Sequence, residues 1–422
     1  MKLTIILALL ASLAFSQDVK QRARAARELA KQGADSIPQL LPYLSDADVT
    51  VRIEAVKALD EIGGPKTVDP LLRMLADPDP EIEIRATDGL VNAYLPGYLK
   101  TGLSGTLQRA GSSIKAKFSD SNDQIIEAYV EVRPEVIAAL GKMVRTGAGT
   151  EARANAARAI GILRGRAAIP DLIEALHSKD NSVMFESLNA IEKIRDPSAA
   201  PRIAFLLRDL EEKIQVAALS TTGILLNREA APDVRDALQH ARTVKVRRAA
   251  LTALAMLANP ADHAIFLGYL SDKDDNLRSA ACEGLARIKN PIDRPTLDGT
   301  FKNEHRMGPR LAAAFALVSL GNLDTGEFSP LRYLINTLNV KSYQGVALAY
   351  VTELARDLKV RLAIYPMLPR ATRDEKIQLC VVFARSGEKD TLSYLETLSV
   401  DPDHDVAQEA VRSLRTLRAR LP

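Results

Sequence analysis

Residues 46–75 read DADVTVRIEAVKALDEIGGPKTVDPLLRML, and this stretch decides the fold. Its apolar and small residues recur at i, i+4, i+7, i+8 and i+11, which places them on one helical face: Val51, Ala55, Ala58, Leu59 and Ile62. The sequence GGP at residues 63–65 ends that helix. A second, shorter helix is marked by Val68, Leu71, Leu72 and Leu75. The repeating unit is therefore a pair of helices.

The helix pair recurs along the chain at a nearly fixed spacing. The column that contains Arg52 comprises Arg22, Arg52, Arg85, Arg153, Met184, Gln215, Arg247, Arg278, Arg310, Gln344, Gln378 and Ala407. Every step but one lies within a few residues of 31. One helix pair cannot cover its own apolar face, so such a period predicts stacked pairs. We predict an all-α, right-handed solenoid of about eleven helix pairs, preceded by a lone helix near residues 18–32.

Two stretches carry a family resemblance, namely residues 46–75 and SDKDDNLRSAACEGLARIKNP at residues 271–291. They resemble the HEAT-like repeats of phycobilin-lyase-type proteins, which have an armadillo-like helical fold. The resemblance implies a non-catalytic scaffold that binds protein partners. The alternative it implies is a lyase-like or cofactor-carrying enzyme. An exported chain would not meet cytosolic phycobiliproteins, so the scaffold is the favoured interpretation.

The first residues, MKLTIILALLASLAFSQ, have the pattern of a secretory signal. Lys2 precedes an apolar run from Leu3 to Phe15, which is shorter than the roughly 20 residues that a membrane-spanning helix needs. We predict a signal peptide over residues 1–16, cleaved before Gln17, and a periplasmic or extracellular location. The alternative is that this segment stays as a membrane anchor.

Composition argues against several classes of protein. The chain has 56 basic and 53 acidic side chains, a formal net charge of +3, no Trp and 5% aromatic residues. A dedicated nucleic-acid binder needs a basic surface and often stacking aromatics, so we predict no nucleic-acid partner. After residue 16 no stretch is apolar enough to span a membrane.

The sequence offers no constellation of residues for catalysis or metal binding. Cys282 and Cys380 lie three repeats apart, farther than a disulfide reaches when neighbouring helices pack about 8–10 Å apart. The five His residues show no helical pairing that would build a metal site. We therefore predict two buried free cysteines, no cofactor, no metal and no catalytic residue.

One step of the Arg column, from Arg85 to Arg153, covers about two periods and contains residues that break the repeat. The predicted division is repeats over residues 17–94, an insertion over 95–133 and further repeats over 134–422. Apolar and polar residues alternate in SIKAKF and IIEAYVEV, with SDSND between them. This pattern predicts a β-hairpin that follows a Gly-rich loop, and a helix over 123–132 is the competing interpretation.

Insertions in solenoids commonly form part of a binding face. We therefore predict that the insertion and the concave surface contact a protein partner. A flap that only covers the solenoid is the alternative. The candidate partner-binding residues are Tyr98, Lys100, Leu103, Arg109, Lys115, Lys117 and Tyr129.

Charged residues at fixed positions of the repeat are predicted to have structural roles. Asp46 and Asp48 come just before Arg52, so they are expected to cap the helix and pair with the arginine. The last helix is expected to present a solvated capping face rather than a basic tail for phosphates or membranes. Its arginines are Arg412, Arg415, Arg418 and Arg420.

Overall fold

The computed structural model describes residues 18–98, 124–127 and 129–421, and these residues form helices and turns without a β-strand. They divide into two compact units. The N-terminal unit runs to Ile203, and the C-terminal unit begins at Ala204 and also contains Glu127 and Tyr129.

The N-terminal unit alternates long and short helices. Their bounds are α1 (18–30), α2 (Ile37–Leu40), α3 (Val49–Ile62), α4 (Val68–Met74), α5 (Pro80–Tyr94), α6 (Pro134–Thr146), α7 (Thr150–Ile162), α8 (Ile169–Ala175) and α9 (Asn181–Ile194). The N-terminal unit ends with a short 3₁₀ helix, Pro197–Arg202, and the C-terminal unit begins with another, Ala204–Arg208.

The C-terminal unit continues the same alternation. Its helices are α10 (Glu212–Ile224), α11 (Ala231–Gln239), α12 (Val244–Leu257), α13 (His263–Tyr269), α14 (Asp275–Ile288), α15 (Arg294–Asn303), α16 (Met307–Ser319), α17 (Pro330–Thr337), α18 (Gln344–Leu354), α19 (Leu358–Ile364), α20 (Arg373–Ser386), α21 (Leu392–Leu398) and α22 (His404–Arg420). Over the described ranges, a lone α1 and eleven short–long pairs follow one another, so the all-α repeat architecture predicted from the sequence is confirmed.

Five of the long helices begin at an aspartate, whose carboxylate satisfies backbone N–H groups that have no partner within the helix. Asp48 accepts from Thr50 N, and Asp79 accepts from the N–H groups of Glu81 and Ile82. The same cap is formed by Asp180, Asp274 and Asp403. The predicted capping role of the acidic turns is thus confirmed.

Many long helices end in a left-handed residue, which turns the chain into the next short helix. The φ angles lie between 50° and 57° at Arg164, Arg195, Leu226, Ala258 and Lys289. The equivalent residue after α16 is Gly321, with φ 88°. Because left-handed backbone strains any residue with a Cβ atom, five of these six turns carry strain that glycine would avoid.

Small residues let the long helices approach closely, as the repeat predicts. The alanines three places after the Arg column are fully buried: Ala55, Ala156, Ala218, Ala250, Ala281, Ala313, Ala347 and Ala410. A Cβ atom on Gly161 of α7 would lie 2.8 Å from Ala190 Cα of α9. This backbone-to-backbone approach leaves no room for a larger side chain at the contact.

The chain leaves α5 at Tyr94 and enters α6 at Pro134. The predicted first strand and turn of the hairpin, 113–123, lie outside the described residues. Where the structure describes the predicted second strand, at 124–127 and 129–132, it shows neither a strand nor the competing helix. There the Ile126 N–H donates to Ile162 O at 3.0 Å, so this backbone group pairs with the end of α7 instead of a partner strand.

Two further features concern the described residues only. None of their helices combines the length and the apolar character that a membrane crossing requires. Cys282 and Cys380 are buried and unpaired, as predicted.

Candidate interaction surface

Three arginines of the repeat column connect their own helix to the acidic turn of the following repeat. The Nε atoms of Arg22, Arg52 and Arg278 lie 2.8 Å from carboxylates of Asp46, Asp77 and Glu304, respectively. The sequence-based expectation that Arg52 pairs with its own acidic turn was therefore wrong in detail. That turn offers a main-chain acceptor, because Arg52 Nη1 donates to Asp46 O at 2.9 Å.

Basic residues of the short helices and the turns before them form a second series of ion pairs. Arg235 pairs with Asp262, which is fully buried, at 2.5 Å. His263 Nε2 lies 2.9 Å from both carboxylate oxygens of Asp293. Equivalent ion pairs join Arg166 to Asp196 and Arg361 to Asp390. Both units therefore contain ion pairs that join neighbouring repeats, some at the long helices and some at the short ones.

Polar side chains of three adjacent long helices in the N-terminal unit, α5, α7 and α9, lie near Tyr98, which follows α5. We call this set the Tyr98 cluster. Its members are Tyr98, Asp88, Asn155, Arg158 and Glu186. Asn155 Nδ2 donates to Asp88 Oδ1 at 3.1 Å and to the Ile84 carbonyl at 3.3 Å. The helix-borne members Asp88, Asn155 and Glu186 are only 5%, 4% and 5% exposed.

Tyr98 stands four residues after the end of α5, at the entry to the insertion. Burial raises the pKa of its hydroxyl, the charges of Asp88 and Glu186 raise that pKa further, and Arg158 opposes them. The phenol is protonated at neutral pH, as tyrosine normally is, and the raised pKa extends that state to more alkaline pH. The cluster thus combines carboxylates, an amide, a guanidinium and a phenol, and its carboxylates and amide are almost completely buried.

A smaller charged group connects α1 to α3. Glu54 accepts from Arg27 Nε at 2.8 Å and from Lys57 Nζ at 2.7 Å. Burial alone would raise the pKa of Glu54, but hydrogen bonds from Arg27 and Lys57 outweigh it and lower that pKa. Glu54 is thus held as a carboxylate between two cations.

The C-terminal unit has a different polar feature, a network that spans α14, α16 and α18. Arg287 of α14 forms a two-pronged ion pair with Glu353 of α18, with both N–O distances 2.8 Å. It also donates to Glu283 at 3.2 Å, and Tyr350 donates to the same carboxylate at 2.5 Å. Phe315 of α16 lies beneath, with its ring centroid 5.4 Å from the guanidinium carbon. We call these five residues the Arg287 network.

Of the candidate partner-binding residues, the structure describes Tyr98 and Tyr129. Tyr98 belongs to the cluster described above. Tyr129 lies in the C-terminal unit, where the guanidinium of Arg415 is 5.4 Å from its ring centroid and Glu127 pairs with Arg412. Tyr98 thus belongs to the N-terminal unit and Tyr129 to the C-terminal unit. The other candidates, Lys100, Leu103, Arg109, Lys115 and Lys117, lie outside the described residues.

The other two arginines of α22 also contact their own unit. Arg418 pairs with Glu396 at 2.8 Å. Arg420 donates to the carbonyls of Ala384 and Gly387 at 3.1 and 2.6 Å, which caps the end of α20. That the last helix presents a solvated face that caps the end of the solenoid stays a prediction.

Sequence reasoning missed both the Tyr98 cluster and the Arg287 network. In the cluster, a usable signal existed: Asn155 and Glu186 each stand two places after a column residue, immediately before the small residue of the repeat. No comparable signal exists for Arg287, whose partner Glu353 is 66 residues away. A periodic pattern predicts which residues are buried and not which polar residues meet.

Within the described residues the arrangement offers little for metal or thiol chemistry. No group of three or more His, Cys, Asp or Glu side chains there is placed to hold a metal ion. Burial raises the pKa of Cys282 to about 12 and that of Cys380 likewise to about 12, so both remain protonated thiols.

Comparison with known proteins agrees with this architecture. The profile that describes HEAT repeats matches residues 6–90, 137–220 and 231–318, which is more than half of the chain. The chain belongs to the HEAT-repeat family. No curated protein sequence matches it.

Two solved structures are similar at low identity. An engineered protein is 17% identical, with a TM-score of 0.39, over 91% of this chain and 99% of its own. The Escherichia coli protein YibA is 16% identical, with a TM-score of 0.41, over 70% of this chain and 95% of its own.

Proposed function

We propose that this HEAT-repeat protein is an exported, non-catalytic scaffold that binds a protein partner in the cell envelope. HEAT repeats generally serve protein interaction, and the repeat-to-repeat ion pairs favour a rigid binding surface. A preformed surface loses less conformational entropy on binding than a mobile one. The insertion adds selectivity, and the partner contacts the surface around it.

The Tyr98 cluster is the observation that carries this proposal. It unites side chains of α5, α7 and α9 with the first residues that follow α5, so the solenoid and the insertion meet there. The buried carboxylate of Asp88 and amide of Asn155 bond to each other, so the cluster supports the place where the insertion leaves the solenoid. A fixed point of departure for the insertion favours a preformed contact surface around it.

A cross-linking pull-down from the envelope fraction tests the proposal. One variant replaces residues 97–132 by a short Gly/Ser linker, and a second, Asn155→Leu, removes the amide from the cluster at similar volume. The matched control is Asn339→Leu, which removes another amide–carboxylate bond, from Asn339 Nδ2 to Glu375 Oε1 at 2.9 Å in the C-terminal unit. All variants are first checked for native helicity by circular dichroism.

We expect one partner to be captured by the native protein and by the control, and lost with the linker variant and with Asn155→Leu. Capture of that partner by every variant would overturn the role of the cluster and the insertion. Failure of the native protein to capture any protein would contradict the scaffold. A purified protein that carries a coloured ligand would instead favour the lyase-like alternative.

Export is tested separately by the mass of the mature chain. The apolar run before Gln17 supports cleavage, so we expect intact-protein mass spectrometry of the periplasmic fraction to show a chain that begins at Gln17. A chain that keeps Met1 and sediments with membranes would support the anchored alternative instead.

A further inference from the structure

The Arg287 network joins helices that are two repeat steps apart. Helix α16 packs against both α14 and α18 in the stack, yet Arg287 and Glu353 reach over it. Tyr350 of α18 makes the same crossing in the opposite direction, to Glu283 of α14. Two hydrogen-bonded links therefore bridge the outer helices of this three-helix group.

Helix α16 shows the consequence of these crossings. Residues 311–318 are buried without interruption, so the helix is covered on all sides. A helix at the surface of a repeat stack normally keeps one polar, solvated face. Here Phe315 is 1% exposed because Tyr350 stacks on it, with ring centroids 4.6 Å apart, and Arg287 covers it.

The charges of the network hold α14 and α18 together through one shared cation. Glu283 and Glu353 are both acidic and approach one guanidinium from two helices. Desolvation of Arg287 lowers its pKa, but hydrogen bonds and charge from the two glutamates outweigh it, so the pKa is raised and the cation persists. Without the guanidinium, the same two carboxylates would repel each other across α16.

We propose that the Arg287 network is a conformational lock that sets the separation of α14 and α18. With the lock closed, this face of the C-terminal unit has one fixed curvature. With the guanidinium removed, only the Tyr350–Glu283 hydrogen bond still joins α14 and α18, while the carboxylates of Glu283 and Glu353 repel each other, and the helices move apart. A partner that binds this face would then contact a different surface.

Distance measurement by double electron–electron resonance tests the lock. Spin labels are placed at Lys289→Cys and Arg356→Cys, which are exposed positions just after α14 and α18, in a Cys282→Ala, Cys380→Ala background. We expect Arg287→Met to widen the distance by about 2 Å, the size of common helix shifts, and to broaden its distribution. Arg287→Lys should give an intermediate result, since an ammonium lacks the two-pronged geometry.

Two comparisons keep the test decisive. The control Arg248→Met removes an ion pair between neighbouring repeats, with Asp274, and should leave the distance unchanged. In Arg287→Ala, guanidinium ion well below denaturing concentrations should restore the narrow distribution, whereas tetramethylammonium should not. An unchanged distance in helical Arg287→Met would overturn the lock. If that variant does not fold, an unchanged distribution in Glu353→Gln would overturn it.

Discussion

Substitution of Ala258 by glycine should stabilise the protein, although glycine usually weakens helical proteins. Ala258 follows α12 with φ 53° and ψ 40°, and its N–H donates to Leu254 O at 3.0 Å. Left-handed backbone costs a residue with a Cβ atom about 1–2 kcal/mol. Glycine removes that strain but loses about 0.5–1 kcal/mol through the greater freedom of its unfolded chain. The expected net gain is about 0.5–1 kcal/mol.

The matched control is the same substitution in a right-handed helix. Ala349 is exposed in the interior of α18, where glycine should cost about 1 kcal/mol by its helix propensity alone. Ala258→Gly and Ala349→Gly are therefore expected to shift the free energy of unfolding in opposite directions.

Urea unfolding followed by far-UV circular dichroism measures both variants against the native chain. The m-values should stay constant, so that the midpoints report stability. Equal destabilisation by the two variants would refute the reasoning, since it would show that the turn after α12 stores no removable strain. A gain at Ala258 should be repeated by Leu226→Gly and should add to it, because the two sites lie in different repeats.

Three other changes test the packing and the ion pairs. Arg235→Met should destabilise the chain by about 3–5 kcal/mol, because the fully buried Asp262 loses its cation. The double variant Arg235→Met with Asp262→Asn should recover much of the lost free energy of unfolding, as measured by urea unfolding. Gly161→Ala should destabilise the fold by about 1–3 kcal/mol, because the new Cβ atom would meet the α9 backbone. Gly268→Ala is the control, since no atom lies within 4 Å of its new Cβ atom, and thermal melts should show no such steric loss there. Hydrogen bonds from Arg22, Arg248 and Lys376 depress the pKa values of Asp46, Asp274 and Asp401, respectively. Carboxylates with a depressed pKa stabilise the fold above their unfolded pKa and lose that effect as pH falls through the folded pKa. Urea midpoints should therefore fall as pH drops below about 4, and Asp46→Asn should make them depend less on pH.

The repeat architecture was predictable because each of its causes is local or periodic. The helix face around Val51, the acidic caps and the buried alanine column all follow from residue spacing within one repeat. The Arg52 pairing was predicted only in part, since its carboxylate belongs to the next acidic turn. Stacking, not spacing, decides which turn comes within reach of the guanidinium.

The candidate site was far less predictable. Asn155 and Asp88 are 67 residues apart and meet only because the insertion between them leaves α5 and α7 as neighbours in space. Tyr98 was chosen from its place in the Gly-rich lead-in, but its surroundings come from other helices. The division into two units near Ile203 likewise depends on which helices pack together, and no shift in composition marks it.

The Arg287 network also bears on how the C-terminal unit unfolds. In a repeat array, stability is close to a sum of single-repeat and nearest-neighbour energies, so opening can begin at any interface. A link between α14 and α18 couples the α14–α16 interface to the α16–α18 interface, because neither interface can open until the ion pair between Arg287 and Glu353 breaks. Helices α14, α16 and α18 should therefore exchange their amide hydrogens as one cooperative block, with the slowest rates in the unit.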